Sequence, residues 1–461
     1  MNTLKLKYLT YFVFTLIVFQ SCNQDDTIIE TEVAVDFTVS DARTQVIVDW
    51  NKLYLDLDRY ATGMRPNATA RALAYIHLAT YETVVEDMEG YTSNMTRLSG
   101  LNINTDERAD NIDVALALNS CYARVLDHFM YGTPSENKQQ ITLLKSEKEI
   151  ELSDELSNQI IQDSNDWGTY VAESIIAYSQ TDTGAEQQIL EPQPLSYEPP
   201  VGEGYWTYSA DPERALFPYW ESVRTFVISS QETSSVAPPM DYSEDVNSSF
   251  YAEMIEVYNM NNTAKEEDNE DLWVAEFWSD DVEGLMMTPP GRQISIASQL
   301  IENYDLDYDI AISLLVKLGF SLNDAAVSTW ADKYEYMVMR PSVYIQEHMD
   351  PDFETNLYRF IFWPNPSFPG YPSGHSCFSS AAAGIFISHF GDAVGFTDRS
   401  HEGRTEFRGT PRGFDSFSQM AEENAYSRVP LGVHVRMDCT EGLRLGYEIS
   451  DAVNNLDLTV N

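Results

Sequence analysis

From Ser40 onward, apolar residues recur at three- and four-residue spacing, and no stretch of useful length alternates apolar and polar positions. A chain patterned in this way hides helical faces against one another, which confines the fold to helix-on-helix packing. Residues 42–57 carry the pattern, as do 67–85, a run rich in helix formers with Asn67 as its cap. It returns over 115–131 and over 152–178, where Ser153 or Ser157 supplies the cap, and His77 and His128 within these runs read as core residues. Between Thr181 and Pro239 the texture changes to Pro, Gly, Tyr and Ser, marking a long loop or a boundary between two bundles. Helical patterning resumes over 250–260, 293–304, 307–318, 322–334, 372–390, 414–426 and 437–454. The expectation is an all-α protein of two packed helical bundles forming one domain, an N-terminal half over 40–290 and a C-terminal half over 291–461 that carries the chemistry.

The chain opens with Lys5 and Lys7, an apolar run over 8–19, and Gln20-Ser21-Cys22. That run is too short to cross a bilayer core of about 30 Å, and it reads as a secretory signal. Ser21-Cys22 at its end suggests a lipoprotein site: residues 1–22 are a signal peptide ending at a lipidated Cys22, and 23–39 a flexible tether. The expected location is therefore outside the cell's inner compartment, as a membrane-anchored lipoprotein in the periplasm or on the surface. No other stretch is read as spanning. With 73 acidic against 28 basic residues, the net charge of -45 excludes nucleic acid as a partner. The acidic run over 262–271 lacks the spacing of a calcium-binding EF-hand loop and reads as solvated. Beyond Cys22, only Cys121, Cys377 and Cys439 remain, so at most one intramolecular disulfide can form; pairing of Cys377 with Cys439 and buried free thiols are both open.

Three stretches of the C-terminal half carry chemistry. The first is Lys333-Tyr-Glu-Tyr-Met-Val-Met-Arg340-Pro341; the second is Phe368-Pro-Gly-Tyr-Pro-Ser373-Gly374-His375; the third is Ser427-Arg428-Val-Pro-Leu-Gly-Val-His434-Val-Arg-Met-Asp438. Lys333 and Arg340 are about two helical turns apart, so both heads can reach one spot, and Pro341 is expected to end their helix. Pro372-Ser373-Gly374 would form the first turn of a buried helix, whose free amides point at an anion. Asp438, four residues after His434, can orient that imidazole. Three cations, two histidines, a hydroxyl and a glycine amide form a set suited to holding an oxyanion.

Together these stretches resemble the signature shared by vanadium-dependent haloperoxidases and type 2 phosphatidic-acid phosphatases: Lys-x6-Arg-Pro, Pro-Ser-Gly-His and Ser-Arg-x5-His-x3-Asp. The resemblance is specific from about Trp330 to Gly446. It implies a vanadate cofactor with His434 as its covalent ligand, or a phosphorylated His434 in a phosphatase. It further implies that Lys333, Arg340, Ser373, Gly374 and Arg428 bind the equatorial oxygens, that His375 is the acid-base group, and that Asp438 supports catalysis through His434. Trp330 and Phe368 resemble the aromatic wall of haloperoxidase pockets, whereas algal bromoperoxidases carry His at the Phe368 position. The segment Leu272 to Trp278 with Thr288-Pro-Pro-Gly291 is similar to bacterial relatives, although Arg292 stands where the resemblance expects His. The implied activity is peroxide-dependent oxidation of halide, with iodide ahead of bromide and chloride last, as in the enzymes of marine flavobacteria that the leader and acidic composition resemble. The alternatives are an acid phosphatase acting through a phosphohistidine and a non-catalytic surface lipoprotein.

Overall fold

The computed structural model of the chain describes residues 39–209, 213–266, 269–359 and 365–459. The proposed signal and lipidation site at Cys22, with most of the tether, lie outside them. In chain order the helices are α1 (Ala42–Asp58), α2 (Asn67–Val84), α3 (Val114–Phe129), α4 (Ser135–Leu152), α5 (Asn158–Gln180), α6 (Thr183–Leu190) and α7 (Ser249–Ala264). They continue with α8 (Glu270–Phe277), α9 (Pro289–Asn303), α10 (Tyr308–Tyr336), α11 (Pro341–His348), α12 (Gly374–Phe390), α13 (Phe417–Leu431) and α14 (Arg436–Asn454). The strands β1 (Phe396–Asp398) and β2 (Arg412–Phe414) pair antiparallel between α12 and α13.

Short polar side chains start most of these helices. Asp41, Asp113, Ser157, Ser248, Thr288, Ser373 and Ser416 each accept a backbone N–H from the first turn of the helix that follows. The expected Asn67 cap is not formed: Pro66 occupies the cap position and the Asn67 amide is buried inside α2 without a partner. In the N-terminal half α2, α3 and α5 pack on one another; in the C-terminal half α12 packs on α10, α13 and α14. The halves meet where α10 lies against α2 and α9 against α1, and one apolar core runs through both.

Several boundaries differ from the sequence reading. The two helices expected over 307–334 are one, α10, and α4 and α6 fall where no helix was expected. Pro341 does not end a helix; it is the first residue of α11, a position that needs no N–H donor. α13 continues beyond Tyr426 through Pro430, and Gly432 at φ 90 ends it. Contrary to the expectation for spanning stretches, α10 is long and apolar enough to cross a membrane, but 83% of its apolar window is buried inside the fold. Cys377 and Cys439 are buried free thiols.

The contact between α12 and α14 brings the second and third motifs together. Ser373 donates its backbone N–H to the Asp438 carbonyl at 2.9 Å, tying the start of one helix to the start of the other. Below that bond the helices touch backbone to backbone. A Cβ on Gly442 would lie 2.8 Å from Ser376 Cβ and collide with the Ser373 carbonyl, and one on Gly446 would lie 2.8 Å from the Ala381 nitrogen. A Cβ on Gly384 of α12 would strike the Ser450 side chain of α14.

Candidate active site

Lys333 lies in the last turn of α10 and is fully buried. Its ammonium donates to the Pro369 and Gly370 carbonyls at 3.0 Å each and to that of Pro372. Met337, left-handed at φ 52, stops α10, and the extended backbone that follows returns Arg340 to the same segment. Arg340 Nε donates to Phe368 O and Nη1 to Val433 O, both at 2.9 Å. Nη1 also stands 3.1 Å from His434 Nε2, while Nη2 is buried without a partner. The two cations thus converge on residues 368–372, by way of a turn and not along one helix face.

His434 sits between the end of α13 and the start of α14, 3% exposed. Its Nδ1 is 2.9 Å from Asp438 Oδ2, which also accepts the Val435 amide at 3.3 Å. A carboxylate acceptor on Nδ1 assigns the proton to that nitrogen and leaves Nε2 with a lone pair. Arg428, in the last turn of α13, donates Nη1 to the Trp278 carbonyl at 2.7 Å and keeps a buried, unpartnered Nε. Ser373 caps α12 by accepting the Ser376 amide at 3.4 Å, which leaves its own hydroxyl proton available. Gly374 follows in the first turn, where backbone amides have no intrahelical acceptor. His375 holds a buried Nε2 with no partner. Trp330 and Phe368 face each other at 4.8 Å, and the Lys333 ammonium lies 5.6 Å and 5.2 Å from their ring centres.

Trp330, Phe368, Gly374, His375, Arg428 and His434 line one cavity of about 130 Å³. Lys333, Arg340, Ser373 and Asp438 do not line it: Arg340 and Asp438 contact the His434 ring, Lys333 lies against the rings of Trp330 and Phe368, and Ser373 precedes Gly374. Arg65, Ser279, Asp280 and Asp281 also line it, and no motif pointed to them. Non-glycine residues at positive φ are uncommon, and Asp280 (φ 33) and Asp281 (φ 64) are adjacent examples at the cavity wall. Arg292 stays outside the cavity. It is fully buried between Asp280 at 2.9 Å and Asp398 at 3.1 Å and donates to the Phe277 carbonyl beside His401, a structural role. Phe277 and Trp278 are core, and Trp273 packs at its edge.

Burial dominates the electrostatics. It holds His375 and His434 well below the usual imidazole range, helped by Arg428 for the former and Arg340 for the latter, so both rings are neutral. It lowers Arg340 to about 9 and Arg428 to about 10, which leaves both guanidinium groups charged at neutral pH. Burial also lifts Asp438 to about 7, against the pull of Lys333 and Arg340. It pushes Lys333 down, yet three carbonyl acceptors around the ammonium favour its charged form. The result is a walled space with unpartnered N–H donors, an imidazole lone pair and a second neutral base. Such a space can hold an oxyanion and pass a proton beside it.

Comparison with known proteins bears out the resemblance to vanadium-dependent haloperoxidases. Residues 313–459 match the family model described as the VCPO second helical-bundle domain. The chain is 24% identical over 213 residues to vanadium chloroperoxidase from Curvularia inaequalis, covering 35% of each chain, so it spans about a third of that relative's length. The fold matches the crystal structure of a bacterial vanadium-dependent iodoperoxidase with a TM-score of 0.78 at 25% identity, over 91% of this chain and 98% of that one. An apo-type bacterial vanadium-dependent chloroperoxidase matches in fold with a TM-score of 0.63 at 15% identity, over 85% and 94% of the two chains.

Proposed function

We propose that this chain is a vanadate-dependent haloperoxidase that uses hydrogen peroxide to oxidise halide to a hypohalous species. The observation that carries the reading is the convergence of His434, Arg428 and His375 on one cavity, with Arg340 against the His434 ring, while the donors Arg340 Nη2 and Arg428 Nε, and also His375 Nε2, lack partners. A buried donor without an acceptor is destabilising by about 1–3 kcal/mol, so a pocket with several is suited to an oxyanion that satisfies them together.

In this reading Lys333, Arg340, Arg428, the Ser373 hydroxyl and the Gly374 amide would hold the oxygens of vanadate, and His434 Nε2 would be its ligand. Bound vanadate supplies a Lewis-acidic centre at which peroxide becomes electrophilic toward halide. The protein's own share is positional. Asp438 keeps the His434 proton on Nδ1, so the lone pair faces the cofactor. His375, neutral and with Nε2 free, takes a proton from incoming peroxide and returns one to the leaving oxygen. Trp330 and Phe368 close the cavity against water.

Iodide is placed first among halides, bromide second and chloride last; the similarity to the bacterial iodoperoxidase supports this order. Export and anchoring through a lipidated Cys22 complete the proposal, together with a division into halves near residue 290. Purified protein assayed with and without vanadate tests it. Peroxide-dependent iodide oxidation that requires vanadate is expected. Hydrolysis of p-nitrophenyl phosphate inhibited by vanadate, with no halide oxidation, would replace the reading with phosphatase chemistry.

A further inference from the structure

Arg65 enters the cavity from the N-terminal half and belongs to none of the three motifs. It is 7% exposed. One corner of its guanidinium is committed, because Nη2 donates to the carbonyls of Asp58 at 2.7 Å, Arg59 at 2.8 Å and Met286 at 2.9 Å. The remaining donors, Nε and Nη1, are buried and have no hydrogen-bond partner. Asp281 Oδ1 stands 3.9 Å from Nη1, near enough for ion pairing but too far for a hydrogen bond, and it too lacks a hydrogen-bond partner. The residue is a fixed buried cation with two idle donors, on a wall shared with His375, Arg428 and His434.

We infer that the free edge of Arg65 is the halide subsite, which delivers the anion to the neighbouring oxyanion pocket; this rests on the haloperoxidase reading above. Among the described residues, the carboxylates beside it other than Asp281 have partners of their own. Asp280 is paired with Arg292, and Asp58 accepts the Thr288 amide and hydroxyl. Arg428 adds a second positive charge to the cavity, leaving Asp281 as the carboxylate that competes with an anion for Arg65. In a chain of net charge -45, a small anion gathers only where a local cation outweighs the surrounding field.

Halide fits better than a second oxyanion. Leu216, Leu357 and Phe378 line the same cavity and offer side chains with no hydrogen-bond donors, so an ion entering it gives up part of its water. The penalty for transferring an ion out of water falls with its radius, which ranks iodide above bromide and bromide above chloride. The ordering expected for the enzyme thereby gains a physical cause in the wall of its cavity.

The test uses the full chain saturated with vanadate. Arg65→Met keeps the stem and removes the cation; the KM for iodide should rise about tenfold or more, with the KM for peroxide within threefold of wild type. Because that variant also loses three carbonyl contacts, Asp281→Asn is the decisive partner. It removes the competing carboxylate, and the KM for iodide should fall severalfold, a direction that damage to the fold does not produce. Iodide soaked into crystals free of vanadate should give an anomalous peak beside Arg65 in the wild type and none in Arg65→Met. An unchanged KM for iodide in both variants, or a peak absent from Arg65, overturns the subsite. Failure of the wild type to oxidise iodide overturns the haloperoxidase reading instead, and the peak at Arg65 then still supports an anion site.

Discussion

Replacing Asp438 by Ala tests how the cavity prepares His434. Asp438 is 1% exposed and accepts two hydrogen bonds through Oδ2, from His434 Nδ1 at 2.9 Å and from the Val435 amide at 3.3 Å. Removing it abolishes a charge-assisted bond and leaves the imidazole N–H buried without an acceptor, a loss of about 1.5–3 kcal/mol. At about 1.4 kcal/mol per decade, vanadate affinity should fall roughly 10- to 100-fold. Asp438→Asn keeps an amide oxygen for Nδ1 but removes the negative charge near Lys333 and Arg340, so its loss should be about tenfold or less. Calorimetric titration with vanadate, on variants whose circular dichroism matches wild type, measures both. Binding by folded Asp438→Ala within threefold of wild type would refute the orienting role. A weaker Asn than Ala variant would show that the carboxylate acts in some way other than holding the ring.

His375→Ala should retain vanadate affinity within about threefold while turnover falls 10²- to 10⁴-fold, read by titration and by steady-state iodide oxidation. Arg292→Ala breaks a fully buried pair with Asp280 and Asp398 and should lower unfolding free energy by about 3–5 kcal/mol, seen as a drop in the urea midpoint. Burial lifts Asp324 to about 6 although it accepts the amides of Phe226, Val227 and Ile228. Its folded pKa lies above the unfolded value near 3.9, so its favourable contribution is complete below that value and is lost as pH rises through about 6. The stability difference between wild type and Asp324→Asn should therefore shrink by on the order of 2–3 kcal/mol from pH 4 to pH 7 in urea titrations, and a constant difference would count against this.

Much of the candidate site was legible because its residues sit in short motifs whose internal spacing survives folding. His434 and Asp438, four residues apart, meet at the start of α14, and Ser373 and Gly374 open a helix whose apolar run is plain. Arg65 was invisible for the opposite reason: 216 positions separate it from Asp281, and only the docking of α1 and α9 brings the two together. Asp280 and Asp281 carried no signal in the sequence, because nothing local announces a positive φ at aspartate. Gly319 falls in the gap between the helices expected over 307–318 and 322–334, yet a Cβ there would be 3.0 Å from the Ala74 Cα, so it serves close packing of α10 on α2. α4 escaped notice because few of its residues face the core, Ile141 and Lys148 being the buried ones. The turn at Met337 reversed the role given to Pro341 without moving Arg340 from the site.

The glycine contacts between α12 and α14 bear on any attempt to redesign the cavity. A library directed at the cavity would vary Trp330, Phe368 and the wall opposite them, and would treat residues that never see substrate as neutral ground. Gly442 and Gly446 fall in that neglected class, yet a single methyl group on either forces apart the two helices that carry Ser373 and Asp438. Variation at these positions would therefore appear in a screen as lost cofactor loading and be mistaken for a failure of the designed pocket. Holding Gly384, Gly442 and Gly446 constant keeps the spacing between the helices intact and reserves the tolerance of the scaffold for the side chains that select the anion.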